Sequence, residues 1–184
     1  MFQSRSRRRA AAFTLVEVMV VSGIMSSLYS QSNYTYGISK ANEIKGVHNL
    51  QQIYTLLNVQ CIAGGLPRAA FYPKGDPLKD PKSIVRLISG APPELFVSPF
   101  APDPLQKKGL TYVWNDKMNG RDIDSASNTW LLIDAAAFIA DPKVPKPRKY
   151  LILYGSGKAI ATSTLPPDIV KAVAKARAKA AAAK

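Results

Sequence analysis

The chain has 184 residues, of which 47% are hydrophobic, and a formal net charge of +13. That size suits one modest domain with an attached helix. The charge favours acidic partners such as lipid headgroups, nucleic acid, acidic polymers or acidic protein faces, without choosing among them. A single cysteine, Cys61, excludes an intrachain disulfide, and a single histidine, His48, with no His/Cys cluster argues against a zinc site. Cys61 reads as a small buried apolar residue on a helix face.

The N-terminus carries the most specific signal. RRRAAAFTLVEVMVV, residues 7–21, runs three arginines into an apolar stretch that holds one carboxylate, Glu17. The stretch extends from Phe13 to Leu28 and is thinned by Ser22, Gly23, Ser26 and Ser27. A full membrane span needs about 20 apolar residues, so this one is marginal. In a secretory signal the small-residue cleavage site follows the apolar region, whereas Ala10–Ala12 precede it here. The same ordering argues against a twin-arginine signal. A soluble core helix leaves the arginine cluster unexplained.

The segment AFTLVEVMVV resembles the start of type IV prepilins and type II secretion pseudopilins. The resemblance implies a cytoplasmic leader, residues 1–12, cut by a prepilin peptidase between Ala12 and Phe13. Phe13 is then N-methylated. The apolar helix stays as an anchor in the bacterial inner membrane, in contact with lipid, and later forms the core of a periplasmic or extracellular filament. Implied partners are further copies of the chain, other pilins and the inner-membrane assembly machinery. The residue before the cut is usually Gly in the family and is Ala12 here. Glu17 is the fifth residue from the new terminus, matching the family's glutamate. An ionised side chain in a membrane helix costs roughly 2.5–3.5 kcal/mol, so such groups usually find a partner. The freed amine of Phe13, with an ordinary pKa of about 8, can pair with Glu17 of a neighbouring subunit and set the axial register.

Beyond a polar interlude at residues 30–37, the helical pattern returns. Ile44, Val47, Leu50, Ile53, Tyr54, Leu57 and Cys61 recur at three- and four-residue steps. Gly64, Gly65 and Pro67 form a stop signal. Residues 13–63 are thus expected as one helix of about 75 Å, membrane-embedded first and amphipathic later. The weak formers Ser30, Ser32, Asn33 and Gly37 leave two alternatives, local melting or a slightly kinked continuous helix. Residues 83–89 read as a short helix. LTYVWN (110–115), TWLLID (129–134), KYLILYG (149–155) and GKAIATS (157–163) read as antiparallel strands over the helix, the last two joined by a hairpin at Gly155–Gly157.

These C-terminal strands, with PELFVSP, also resemble the pilin-like H-X9-DG proteins. There Ser98 replaces a Cys, Gly155-Ser156 replaces the DG, and the upstream His is missing. The roles of those positions are therefore not carried over.

Asp116, Asn119, Asp122 and Asp124 faintly resemble a calcium loop, but the EF-hand pattern and its closing Glu are absent, so a solvated turn is expected. No nucleophile–base set can be assembled, and no cofactor or enzymatic activity is expected. The C-terminus, PPDIVKAVAKARAKAAAAK, has Asp168 as a cap and a helix-prone Ala/Lys composition. It reads as a solvated, frayed tail. Alternatively, Lys171, Lys175, Arg177 and Lys179 make an electrostatic contact with nucleic acid or another anion.

The expected organisation is α+β and pilin-like: a leader (1–12), a long helix (13–65), a head with a small antiparallel sheet (66–165) and a basic tail (166–184). The expected function is structural, as a filament subunit. The alternatives are a basic minor pilin that binds DNA or another anionic polymer, and a membrane-anchored protein that never polymerises.

Overall fold

The structure is a computed structural model and describes residues 15–61, 64–139 and 146–182. It is α+β: a helix packs on a small four-stranded antiparallel sheet. The chain divides into two units, Met1–Lys40 and Ala41–Lys184.

Helix α1 spans Leu15–Cys61, a range that includes the polar interlude. Within the second unit, Leu50, Ile53 and Leu57 are fully buried. They lie within about 60° of one another around the helix at 100° per residue, and Val47, Tyr54 and Cys61 are half-buried beside them. Ile44 departs from the expected stripe and is 62% exposed. At 100° per residue it points about 120° away from Leu50, which puts it on the outer face. Gly46 lets the helix lie directly on the sheet, because a methyl group there would overlap the buried side chain of Leu151.

The sheet is a meander in the order β1 (Tyr112–Trp114), β2 (Trp130–Asp134), β3 (Tyr150–Tyr154) and β4 (Ala159–Thr162). Each strand lies inside the run expected for it. Alternation divides the residues between two cores. Tyr112, Trp114, Leu132, Leu151 and Leu153 join α1, together with Leu66, Ile84, Ile88 and Phe96. Val113, Ile133 and Ile152 join the second core with Ala101, Leu105 and Ala135–Ala137. A register irregularity between Trp130 and Leu132 lets the neighbours Leu131 and Leu132 both enter the first core. The expected short helix is α2, Ile84–Leu87, and a further turn, α3, covers Asp103–Gln106.

The free edge of β1 is covered by the coil after α1. Trp114 N donates to Phe71 O at 2.9 Å, and Leu66 exchanges backbone bonds with Gly120 and Arg121. This covering satisfies backbone groups that an open edge would offer to another chain. Lys149, beside β3, pairs with Glu43 of α1 at 2.7 Å. Both side chains keep some solvent contact, so the pair is worth at most about 1 kcal/mol.

The β3–β4 hairpin closes through Gly157 N donating to Tyr154 O. Gly157 has φ +79°, and a Cβ there would stand 2.6 Å from the ring of Tyr54 on α1. Gly157→Ala is expected to destabilise the head by about 1–3 kcal/mol. Urea denaturation followed by tryptophan fluorescence measures this, and an unchanged midpoint would show that the turn and Tyr54 yield without cost.

Candidate assembly helix, basic helix and buried carboxylate

Ala12 and Phe13, expected at the cleavage and methylation site, lie outside the described residues. Glu17 lies in α1, but its side chain is outside the described set. The helix around it is informative. Met19, Val20, Val21 and Ile24 are 54–67% exposed. Consecutive residues step by about 100° around the axis, so Met19 to Val21 alone sweep about 200°. The exposed apolar surface is therefore not a stripe matched to a one-sided groove. Ser22 and Ser26 are exposed on the remaining side, so the apolar sector is broad without being complete, and it is wider than the roughly 100° stripe of an ordinary surface helix. Among the described residues, no helix is long and apolar enough to cross a membrane.

The C-terminal segment differs from the frayed tail expected. It forms α4, Pro167–Ala182, with Pro167 and Asp168 inside the first turn rather than Asp168 before it. Pro is pre-organised at that position, and Asp favours the positive end of the helix dipole. Ile169 is fully buried and Val173 nearly so, and both join the second core. Arg177, one further turn along the same face, donates through Nη2 to the carbonyls of Ala137 (3.0 Å) and Ile139 (3.2 Å). Its charge therefore serves the docking of the helix. Lys171 and Lys175 are exposed and fall on the opposite side of α4 from Ile169. Lys179 continues that row in the helix, and its side chain is outside the described set.

The Asp/Asn loop is partly structural. Asp116, Asp122 and Asp124 are exposed. Asn119 instead accepts the indole N–H of Trp114 at 2.7 Å and Ala69 N at 3.2 Å, and it donates to Ala69 O at 2.9 Å. This corrects the solvated turn expected at that position, because the side-chain amide meets both a strand and the edge coil. Among the described residues, no group of three or more His, Cys, Asp or Glu could hold a metal ion. Cys61 is half-buried, and its thiol pKa is raised by burial and, secondarily, by Asp122. A raised pKa lowers the thiolate fraction, in line with a packing role.

Sequence reading missed the most unusual polar group. Asp134 ends β2, is 1% exposed, and sits opposite Tyr112 on β1. Its Oδ2 accepts Leu151 N at 2.6 Å. Among the described residues, no protein hydrogen bond reaches Asp134 Oδ1 or Tyr112 Oη. Ser98 and Thr111 are buried nearby: Ser98 N donates to Thr111 Oγ1, and Thr111 Oγ1 donates to Phe96 O. Desolvation pushes the Asp134 carboxyl up to about 7, against smaller lowering effects from the Leu151 N–H and Ser98. Burial also raises the Tyr112 phenol, with Asp134 adding to the rise and Ser98 opposing it. An Asp after an apolar run ordinarily signals a turn, so its burial is not visible in the sequence.

Comparison with protein-family models, curated proteins and solved structures gives no match.

The raised carboxyl pKa fixes the sign of a pH dependence. The unfolded chain releases the Asp134 proton near its ordinary value of 3.8, whereas the folded chain holds it to about 7. The folded state therefore binds more protons between these values. Its stability falls as pH rises through that window and levels off above it, by roughly 4 kcal/mol from this group. Asp134→Asn is expected to remove this decline and to raise stability at pH 8. Urea midpoints at pH 5 and pH 8 test it, and an equal drop in the variant would assign the decline to another group.

Proposed function

We propose that this chain is a structural subunit of a type IV pilus-like or type II secretion pseudopilus-like filament, polymerising through its N-terminal helix. The observation that carries the reading is the exposure of Met19, Val20, Val21 and Ile24 over a sector of about 200° of α1. A bundle of like helices covers an apolar sector of that width, as a bilayer does before assembly. Three further features support it: the order Arg cluster, Phe13, Glu17 and apolar run; the continuity of α1 from Leu15 to Cys61; and an antiparallel sheet packed on the later part of that helix. In this reading the leader holds residues 1–12 in the cytoplasm, and cleavage frees the Phe13 amine. Glu17 then receives that amine from a neighbour in a heterologous contact that propagates without closing.

N-terminal mass spectrometry of the mature protein is expected to find N-methyl-Phe13, and retention of residues 1–12 in filaments would overturn the reading. Glu17→Ala is expected to leave the protein in membranes while abolishing filaments. Unchanged filaments would instead remove Glu17 from assembly, and a wild-type protein that forms none would be a simple membrane-anchored one.

A second reading, a basic subunit that binds DNA or another anionic polymer, is favoured by the exposed Lys171 and Lys175 on α4. Their spacing puts two cations about 6 Å apart along one helix face. Binding through them is expected to be insensitive to sequence and steeply weakened by salt. Gel shifts of duplex DNA with wild type and the double variant Lys171→Ala/Lys175→Ala measure it, and absent or salt-insensitive binding would eliminate it.

A further inference from the structure

We infer that the outer face of α1 between Ile44 and Val59 is a contact surface for a second copy of this chain. The inference rests on the filament reading, and it extends the contact beyond the N-terminal half of the helix to a named face on the head.

The observation is a missing class of residue. Helix α1 carries formal charges at only four of its 47 positions, Glu17, Lys40, Glu43 and Lys45, in a chain that is 20% charged. From Gly46 to Cys61 it carries none. Only one side of that segment is taken up by the sheet. Ile44, His48, Gln51, Gln52, Thr55, Asn58 and Val59 are exposed. Measured from Ile44, all but Asn58 fall within a sector of about 100° at 100° per residue, and Asn58 lies just beside it. An ordinary solvated helix face in a basic protein would be rich in Lys, Arg and Glu. This one has amides, a hydroxyl, an imidazole and two large apolar residues, Ile44 and Val59, that are 62% and 65% exposed.

The composition also indicates the occupant. Two copies that have lost the four arginines of the leader each carry 13 − 4 = +9, and they repel wherever charged surfaces approach within a Debye length, about 8 Å at physiological salt. A face whose own residues are uncharged, with Lys45 only at its edge, is where copies can meet with the smallest penalty. An acidic partner would be drawn to the lysine-bearing surfaces instead. The polar groups are suited to being covered. Thr55 Oγ1 already donates to Gln51 O at 3.0 Å, and Gln52 Nε2 lies 3.3 Å from His48 Nδ1. Groups satisfied within their own helix cost less to desolvate. The amides of Gln51 and Asn58 can both donate and accept across an interface.

The test uses the full chain in its native membranes. Benzoylphenylalanine at Thr55 allows photo-crosslinking to whatever lies against it, so it does not require a symmetric contact. The expected product is an adduct between two copies, mapped by mass spectrometry. In parallel, Gln51→Glu/Thr55→Glu places two like charges on the face. It is expected to reduce sedimentable polymer about tenfold, the equivalent of about 1.4 kcal/mol, while the urea midpoint of the head is unchanged. Adducts confined to lipid or to other proteins, or unchanged sedimentation of the charged variant, would overturn the inference. Filaments with N-methyl-Phe13 but no Thr55 adduct would remove this contact and leave the filament reading standing. A copy-to-copy adduct in protein that retains its leader would do the reverse.

Discussion

The burial of Leu50, Ile53 and Leu57 of α1 against the sheet is the contact on which the head depends. Each is fully buried, and full burial of such a side chain is worth about 1.5–3 kcal/mol. The contact also fixes orientation. Gly46 brings the helix backbone close to Leu151, and Gly157 meets the ring of Tyr54, so both ends of the helix–sheet contact are set by absent side chains. Once this side of α1 is committed to the sheet, the opposite side is committed outward. From Gly46 to Cys61 that outward side is free of formal charge, an unusual property for a surface of a basic protein.

The sheet has a second apolar face, and it too has to be covered. Val113, Ile133 and Ile152 are buried there beneath Ala101, Leu105, the alanines after β2 and α4. The small side chains of Ala135–Ala137 let the chain turn close to the sheet. Arg177 of α4 then donates to carbonyls of Ala137 and Ile139. Charge-assisted bonds of this kind exceed neutral ones in strength, and they add to the two aliphatic anchors, Ile169 and Val173, that are buried among the described residues of the helix. The alignment that holds Arg177 inward places Lys171 and Lys175 on the opposite side of the helix.

Between the two cores lies a polar arrangement that opposes stability. Asp134 and Tyr112 face each other across β1 and β2 in full burial, each with an oxygen that no protein group satisfies among the described residues. A neutral carboxyl is the less costly form in such surroundings. The head therefore bears a proton-dependent cost where β2 ends beside β1, in addition to the apolar burial of the two cores.

Much of this architecture was legible in the sequence because it rests on local patterns. The four strands follow β-rich runs bounded by turn residues, and the hairpin at Gly155–Gly157 follows from glycine's access to positive φ. The buried stripe of α1 follows from helical periodicity, and the apolar character of residues 18–24 from composition. Other features depended on contacts between distant segments. Ile44 fits the three- and four-residue pattern, yet it faces outward because the sheet meets only one sector of the helix. The tail looked like a soluble Ala/Lys helix, and nothing local shows that Ile169 and Val173 will find a second sheet face. Asn119 and Asp134 are turn formers by chemistry, and it is their distant neighbours Ala69, Trp114 and Leu151 that make them structural or buried. The sequence by itself thus determined the elements and their apolar sides, since propensity and periodicity act over a few residues. Only the tertiary structure decided which sides are covered, which polar groups lose water and which charges are spent, because burial is set by segments far apart in the chain.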